Sequence, residues 1–275
     1  MTWWNNKTLG VIGLGNMGHA IAKGVAESGL LEPGALLGYD PRAEQLDLHE
    51  EIELTANVSE LAEQADVLVV AVKPYAVGSV LRRALRENHV TGVISVAAGL
   101  PLIEVLKAVD GKADGVVRAM PNIAASVQAS CTAIVGSEST DPKFVDAAEL
   151  LFGCVGTVVR LAEESAMHGF TGAVGSGIAY GFVFAEALAD ACVAEGLSRS
   201  VSRRAAASVL RGAAELLLDD ESVNPAERKD AVCSPGGTTI EGVAKLEELG
   251  FRSAVIQAVR TAARRSRSLQ GDDDE

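Results

Sequence analysis

The chain has 275 residues with 24 Lys and Arg against 37 Asp and Glu, a formal net charge of −13 at pH 7. That balance argues against a nucleic-acid partner, since phosphate contacts need clustered cations. With 48% apolar residues, a chain of this length buries a core without disulfides or metal. Four acids form the run Asp272, Asp273, Asp274 and Glu275. The basic cluster just before it, Arg260, Arg264, Arg265 and Arg267, has helical spacing and reads as a solvated helix end. The longest apolar run, residues 67–72, is far short of a bilayer span, so no membrane partner is expected. Residues 1–7 lack the charged-then-apolar pattern of a secretory leader. Cys131, Cys154, Cys192 and Cys233 form no C-x-x-C, and none of the four histidines (His19, His49, His89, His168) repeats a metal-ligand spacing. Reduced thiols in a cytoplasmic protein, with no metal, are the expectation.

In chain order, strands are predicted over residues 9–12 and 36–39, with a helix over 17–28 between them that Gly29 closes. A short helix over 60–64 leads to a buried strand over 66–72, stopped by Lys73-Pro74. Helices over 77–87, 102–109 and 144–152 alternate with strands over 93–97, 116–119, 132–135 and 156–160. This alternation implies a mostly parallel sheet covered on both faces. After Leu161 strand-like alternation ends, and helices are expected within 163–197 and over 202–218, 225–232, 239–249 and 252–269. The expected division is therefore residues 1–160, an α/β dinucleotide-binding domain, and 161–275, an all-helical one.

Gly13-Leu14-Gly15-Asn16-Met17-Gly18 follows a strand and opens a helix. Glycines there let the backbone turn tightly and approach a pyrophosphate, while the helix N-terminus supplies free N–H groups and a positive dipole. Asp40, ending the second strand, suits a ribose 2′-hydroxyl and so NADH. Arg42, two residues on, suits a 2′-phosphate and so NADPH, and the choice stays open. Ala71-Val72-Lys73-Pro74, at the end of the buried strand, is the second cofactor segment, with Lys73 as an exposed turn lysine the alternative. Cys233-Ser234-Pro235-Gly236-Gly237-Thr238-Thr239 separates two helices and presents N–H groups and hydroxyls together. It suits a small carboxylate or, alternatively, is a cap with a flexible turn. The glycines of 172–177 suggest that a backbone or a flat ligand comes close. Glu186 and Asp190, on one helical face, are assigned to solvent or capping contacts.

Three stretches carry a family resemblance: Arg118-Ala119-Met120-Pro121-Asn122; Gly175-Ser176-Gly177 with Ala179-Tyr180 leading into Glu186-Ala187-Leu188-Ala189-Asp190; and Lys229-Asp230 followed by Ser234 to Ile240, with Gly-Phe-Arg at 250–252. On these the chain resembles the pyrroline-5-carboxylate reductases. The resemblance implies a Rossmann domain plus a helical dimerisation domain, an active site between them shared across a homodimer, and in many relatives a larger ring of dimers. It implies reduction of the C=N bond of 1-pyrroline-5-carboxylate to L-proline by NADPH or NADH, the last step of proline biosynthesis. Hydride would pass from nicotinamide C4 to the imine carbon. The Thr239 hydroxyl would point at the ring nitrogen, the N–H groups of Gly237, Thr238 and Thr239 would hold the carboxylate with Gly236 in the same loop, and Ser176 would line the substrate site.

The chain departs from the family pattern at Ile178, where proline is usual, at Ile123 and Ala124, where threonine and proline are usual, and at Arg228, where leucine is usual. Asn57 sits about one position from a family asparagine near the adenosine ribose. The alternatives are a reductase of another cyclic imine and a non-catalytic cofactor-binding paralogue. A β-hydroxyacid dehydrogenase, the third rival, wants a lysine in the long helix, and residues 169–195 contain none.

Overall fold

The computed structural model describes residues 2–270, so the acidic run 272–275 lies outside the described residues. Contacts divide the chain into two compact units. One holds the residues up to Gly175 together with those from Ala263 onward, and the other is Ser176–Ala262.

The first unit is built on an eight-stranded sheet. Its strands are β1 (Leu9–Ile12), β2 (Leu36–Tyr39), β3 (Glu53–Leu54), β4 (Val67–Val70), β5 (Val90–Ser95), β6 (Ala113–Met120), β7 (Ser130–Gly136) and β8 (Gly156–Arg160). They lie in the order β3-β2-β1-β4-β5-β6-β7-β8. Every neighbouring pair is parallel except β6–β7. Alternate residues enter opposite apolar layers, as strand geometry requires. From β4, Val67 and Val69 join one core while Leu68 and Val70 join the other. That is why the sequence there is continuously apolar: both faces are covered. Helices α1 (Asn16–Ser28) and α5 (Pro142–Gly153) supply one layer, and α2 (Val58–Gln64), α3 (Pro74–Ala84) and α4 (Leu102–Val109) the other.

Some boundaries differ from those the sequence predicts. β4 ends at Val70 and α3 begins at Pro74 rather than at residue 77, because proline is favoured in a first helical turn whose N–H has no partner in any case. Residues 71–73 are thus the turn between them. β3 is two exposed residues held only by pairing with β2, too short to leave a periodic signal.

From β8 onward the chain is helical: α6 (Met167–Phe170), one π turn (Thr171–Gly175), α7 (Gly177–Ala194), α8 (Arg199–Asp219), α9 (Pro225–Ala231), α10 (Thr238–Glu248) and α11 (Phe251–Ser268). The secondary structure changes after Arg160, but contacts divide the chain only after Gly175, because Met167 of α6 is buried in the core of the first unit. The helix spanning Glu164–Ala194 is long and apolar enough, by length and composition, to cross a membrane. Its apolar residues, among them Val174, Ile178, Phe182, Val183, Phe184 and Leu188, are interrupted by glycines and polar residues, so residues 67–72 remain the longest unbroken apolar run while this helix is the longer apolar stretch. Little of it is buried within the chain. In the second unit Tyr180, Val183, Phe184 and Leu188 of α7 share an apolar groove with Phe251 and Val255 of α11.

Candidate active site

The C-terminal ends of the parallel strands β1, β4, β5 and β6 share one edge of the sheet, where the connections of such folds take up ligands. The glycine loop leaves β1 there. Gly13 has φ +93°, and a Cβ on it would meet Val72 Cγ1 at 2.9 Å and the Ala71 carbonyl oxygen at 3.0 Å. A Cβ on Gly18 would lie 1.8 Å from the Gly13 carbonyl oxygen. Nothing lies within 4 Å of a Cβ built on Gly15. The loop is closed on its inner side and open at Gly15, which is the residue preceding α1. That helix starts with no side-chain cap and no acid in its first turn. Free N–H groups and the helix dipole therefore face the open side, and the cradle fits a dinucleotide pyrophosphate. Gly13, Gly18, Ala71 and Val72 are brought together. Lys73 is the residue preceding α3 and is exposed, with Pro74 opening the helix.

Asp40 is buried, and both of its oxygens are engaged. Oδ2 accepts the Leu14 N–H at 2.9 Å and Oδ1 accepts the Arg42 N–H at 2.9 Å. Its side chain is 7% exposed against 65% for Arg42, whose Nε lies 3.6 Å away. Asp40 is thus a brace between β2 and the glycine loop. Asn57 is taken up in a cap: its side chain accepts from the Ser59 and Glu60 N–H groups, each at 3.0 Å, at the start of α2.

In the second unit the α9–α10 connection is exposed. Gly236 has φ +66°, Gly237 precedes α10, and that helix has no side-chain cap. The Gly237 N–H donates to the Ser234 carbonyl at 3.0 Å. Of the three N–H groups expected to face outward, this one already closes a turn, and Thr238 and Thr239 form the exposed first turn. Ser176 precedes α7 and is half-buried. Ile178 lies half-buried in the first turn of α7, and Arg228 is half-buried on α9 with its Nε lacking a hydrogen-bond partner.

Glu186 and Asp190 are exposed, and Asp190 pairs with Arg199. His19 accepts the His49 N–H at Nε2 (3.3 Å). Burial, with the nearby Lys23 and His49 charges, holds its pKa below the ordinary imidazole value, against a weaker opposing pull from Asp47. The four cysteines are free thiols, and burial raises the pKa of Cys131 and Cys154. Among the described residues no group of three or more His, Cys, Asp or Glu side chains is placed to hold a metal ion.

Comparison with known proteins matches residues 164–269 to the pyrroline-5-carboxylate reductase dimerisation family and residues 8–99 to the family described as NADP oxidoreductase, coenzyme F420-dependent. A pyrroline-5-carboxylate reductase of Methanosarcina acetivorans is 39% identical over 272 residues, covering 96% of this chain and 98% of the relative. That of Escherichia coli is 39% identical over 269 residues, with the same coverage. The chain belongs to the pyrroline-5-carboxylate reductase family. A solved member from Coxiella burnetii superposes with a TM-score of 0.87 at 30% identity, covering 96% of this chain and 98% of that one. A Plasmodium falciparum pyrroline carboxylate reductase with NADP bound superposes with a TM-score of 0.82 at 29% identity, again over 96% and 98%.

Two features around this edge of the sheet are not legible in the sequence. Asp40 carried a motif signal, but its use as a brace depends on the fold bringing Leu14 back over β2. Glu164, which binds the buried Arg118 of β6, carried no sequence signal.

Proposed function

We propose that the protein reduces the C=N bond of 1-pyrroline-5-carboxylate to L-proline, as the last step of proline biosynthesis, and does so in the cytoplasm as a homodimer. The observation that carries this reading is the open first turn of α10, with two threonines behind Gly236-Gly237, in a chain whose other unit holds a glycine cradle shaped for a dinucleotide. Bound at that cradle, NAD(P)H supplies a hydride. Gly13, Leu14, Gly15, Asn16, Met17 and Gly18 hold the pyrophosphate, and residues 71–74 approach the rest of the cofactor.

The N–H groups of Thr238 and Thr239 grip the substrate carboxylate with the help of the α10 dipole, with Gly236 and Gly237 shaping the turn and Ser176 lining the ring. The Thr239 hydroxyl holds the ring nitrogen. A hydroxyl suits both ends of the reaction: it accepts from the N–H of an iminium and donates to the lone pair of the amine. Because the iminium already carries its proton, positioning and hydrogen bonding suffice and no covalent step is needed. The apolar groove of α7 and α11 is the surface we assign to the second copy, and closure of dimers into a ring is a further step of the same kind.

NADPH is the reductant this loop favours. The Asp40 carboxylate is spent on the loop backbone, whereas the Arg42 guanidinium, exposed and touching Asp40 only through Nε at 3.6 Å, has its outer nitrogens available for a 2′-phosphate. Oxidation of NADPH and NADH, followed by loss of nicotinamide absorbance with 1-pyrroline-5-carboxylate and a panel of other cyclic imines, tests the reading. Turnover of pyrroline-5-carboxylate above the panel supports it. Cofactor binding without turnover of any imine would sink it.

A further inference from the structure

Arg118 is the one buried arginine among the described residues, and the reaction proposed above does not use it. Its Nη1 donates to Glu164 Oε1 at 2.6 Å, and the same oxygen accepts the Leu102 N–H, opening α4, at 2.8 Å. On its other side is Gln270. With the amide oxygen of Gln270 turned towards Arg118, it accepts from Nη1 at 3.2 Å and Nη2 at 3.0 Å, while the amide nitrogen donates to His168 Nε2 at 3.2 Å. The Nδ1 of His168, which is buried, lies 3.1 Å from Ser266 Oγ.

These partners come from two places in the chain. Glu164 and His168 lie on the segment that runs out towards Ser176, and Ser266 and Gln270 on the segment that returns after Ala262. All belong to the first unit. Two residues beyond Arg118, Met120 ends β6 at the cofactor edge, with its Cε 3.6 Å from where a Cβ on Gly175 would stand. Asn122 follows, buried, with its N–H on Ser130 Oγ (3.1 Å) and its side chain accepting the Ala124 N–H (3.1 Å). An ion pair with its cation buried and its carboxylate partly exposed is weak as a source of stability and better suited to fixing one arrangement among several. Only a planar fork can be gripped from both sides in this way.

We propose that Arg118 is a positioning residue: its guanidinium, held between Glu164 of the outgoing chain and Gln270 of the returning chain, fixes residues 120–122 at the cofactor edge of the sheet. The kinetic part of this inference rests on the imine-reductase reading. The test uses Arg118→Lys, Gln270→Ala and the double variant in the full-length protein. It measures steady-state kinetics with 1-pyrroline-5-carboxylate, NADPH affinity by fluorescence, melting temperature, and the 13C-methyl resonance of Met120.

The expected result is a kcat lowered about tenfold by Arg118→Lys and about threefold by Gln270→Ala, with NADPH affinity within about twofold of the parent. The double variant should be no worse than Arg118→Lys alone, because the two act through one cluster. The Met120 resonance should move in both single variants. Unchanged kcat with an unmoved Met120 resonance overturns the proposal. So does a loss of kcat that merely tracks melting temperature and NADPH affinity, which marks a structural role only. If the parent protein reduces no imine, the functional reading fails instead, and the Met120 resonance with retained NADPH affinity still judges the clasp.

Discussion

The glycine loop after β1 and the Gly-Gly loop before α10 use the same device, an uncapped helix N-terminus behind a residue with positive φ, and differ in what surrounds it. Around the first loop the fold closes in: Gly13 presses on residues 71 and 72, Gly18 on the Gly13 carbonyl, and Asp40 pins Leu14 from behind. The second is more open: nothing lies within 4 Å of a Cβ on Gly236 and both threonines are exposed, and a Cβ on Gly237 would meet only Ser234 of the same loop, its Oγ at 2.3 Å. The cofactor cradle is preorganised by its own unit. The loop proposed to hold the substrate carboxylate has no comparable enclosure within its own unit. Preorganisation lowers the cost of binding, so the first loop is the less tolerant of change.

The largest effect expected is from Gly18→Ala. A methyl 1.8 Å from a carbonyl oxygen cannot be accommodated without opening the loop. Overpacking of this kind costs about 1–3 kcal/mol, and NADPH binding measured by fluorescence should weaken by about a hundredfold. Gly236→Ala, by contrast, meets only the strain of its φ of +66° and should leave NADPH affinity untouched. If both variants bind NADPH like the parent, the contrast between the loops is broken.

Next comes Thr239→Val, which keeps the shape and removes the hydroxyl. Its kcat/KM for pyrroline-5-carboxylate should fall about tenfold or more, roughly 1.4 kcal/mol of transition-state stabilisation. Unchanged kinetics would remove Thr239 from the mechanism. Arg42→Ala sharpens the first loop's side: NADPH affinity should drop about tenfold, the scale of one charge-assisted hydrogen bond, while NADH affinity stays level. A parallel loss for both cofactors would mean Arg42 shapes the loop rather than reading the phosphate.

The smallest effect is a pH dependence beside the glycine loop. Burial holds the His19 pKa below its ordinary value, so the unfolded chain takes up the proton first as pH falls. Stability from this group is complete above the ordinary imidazole pKa and is lost as pH drops through the lower, folded value. Melting curves of His19→Gln should show a flatter decline over that interval than the parent. An identical decline would assign it to other groups.

How much of this was legible in the sequence follows from where the determining contacts lie. β1, β2, β8 and α4 were read with their boundaries, because each is bracketed by glycine, proline or a charged turn next to it in the chain. The glycine cradle was legible for the same local reason. The antiparallel entry of β7 was not, since it depends on Gln128 adopting a left-handed turn (φ 57°) that no glycine announces. The brace at Asp40 and the Arg118–Glu164 pair were invisible because their partners lie 26 and 46 residues away. In the α10 loop the motif was plain. That the Gly237 N–H is spent inside its own turn depends on the Ser234 carbonyl folding back, which spacing does not reveal.

The long apolar helix Glu164–Ala194 has a consequence for handling the protein. A surface carrying Phe182 and Val183 in the open invites partners, native or otherwise. In a family defined by a dimerisation region, such a chain gains stability by mass action: every tenfold rise in concentration favours the assembled state. Thinning the solution should therefore lower the melting temperature as surely as adding urea does. Freshly synthesised copies are most vulnerable to clumping in the interval before each one meets another.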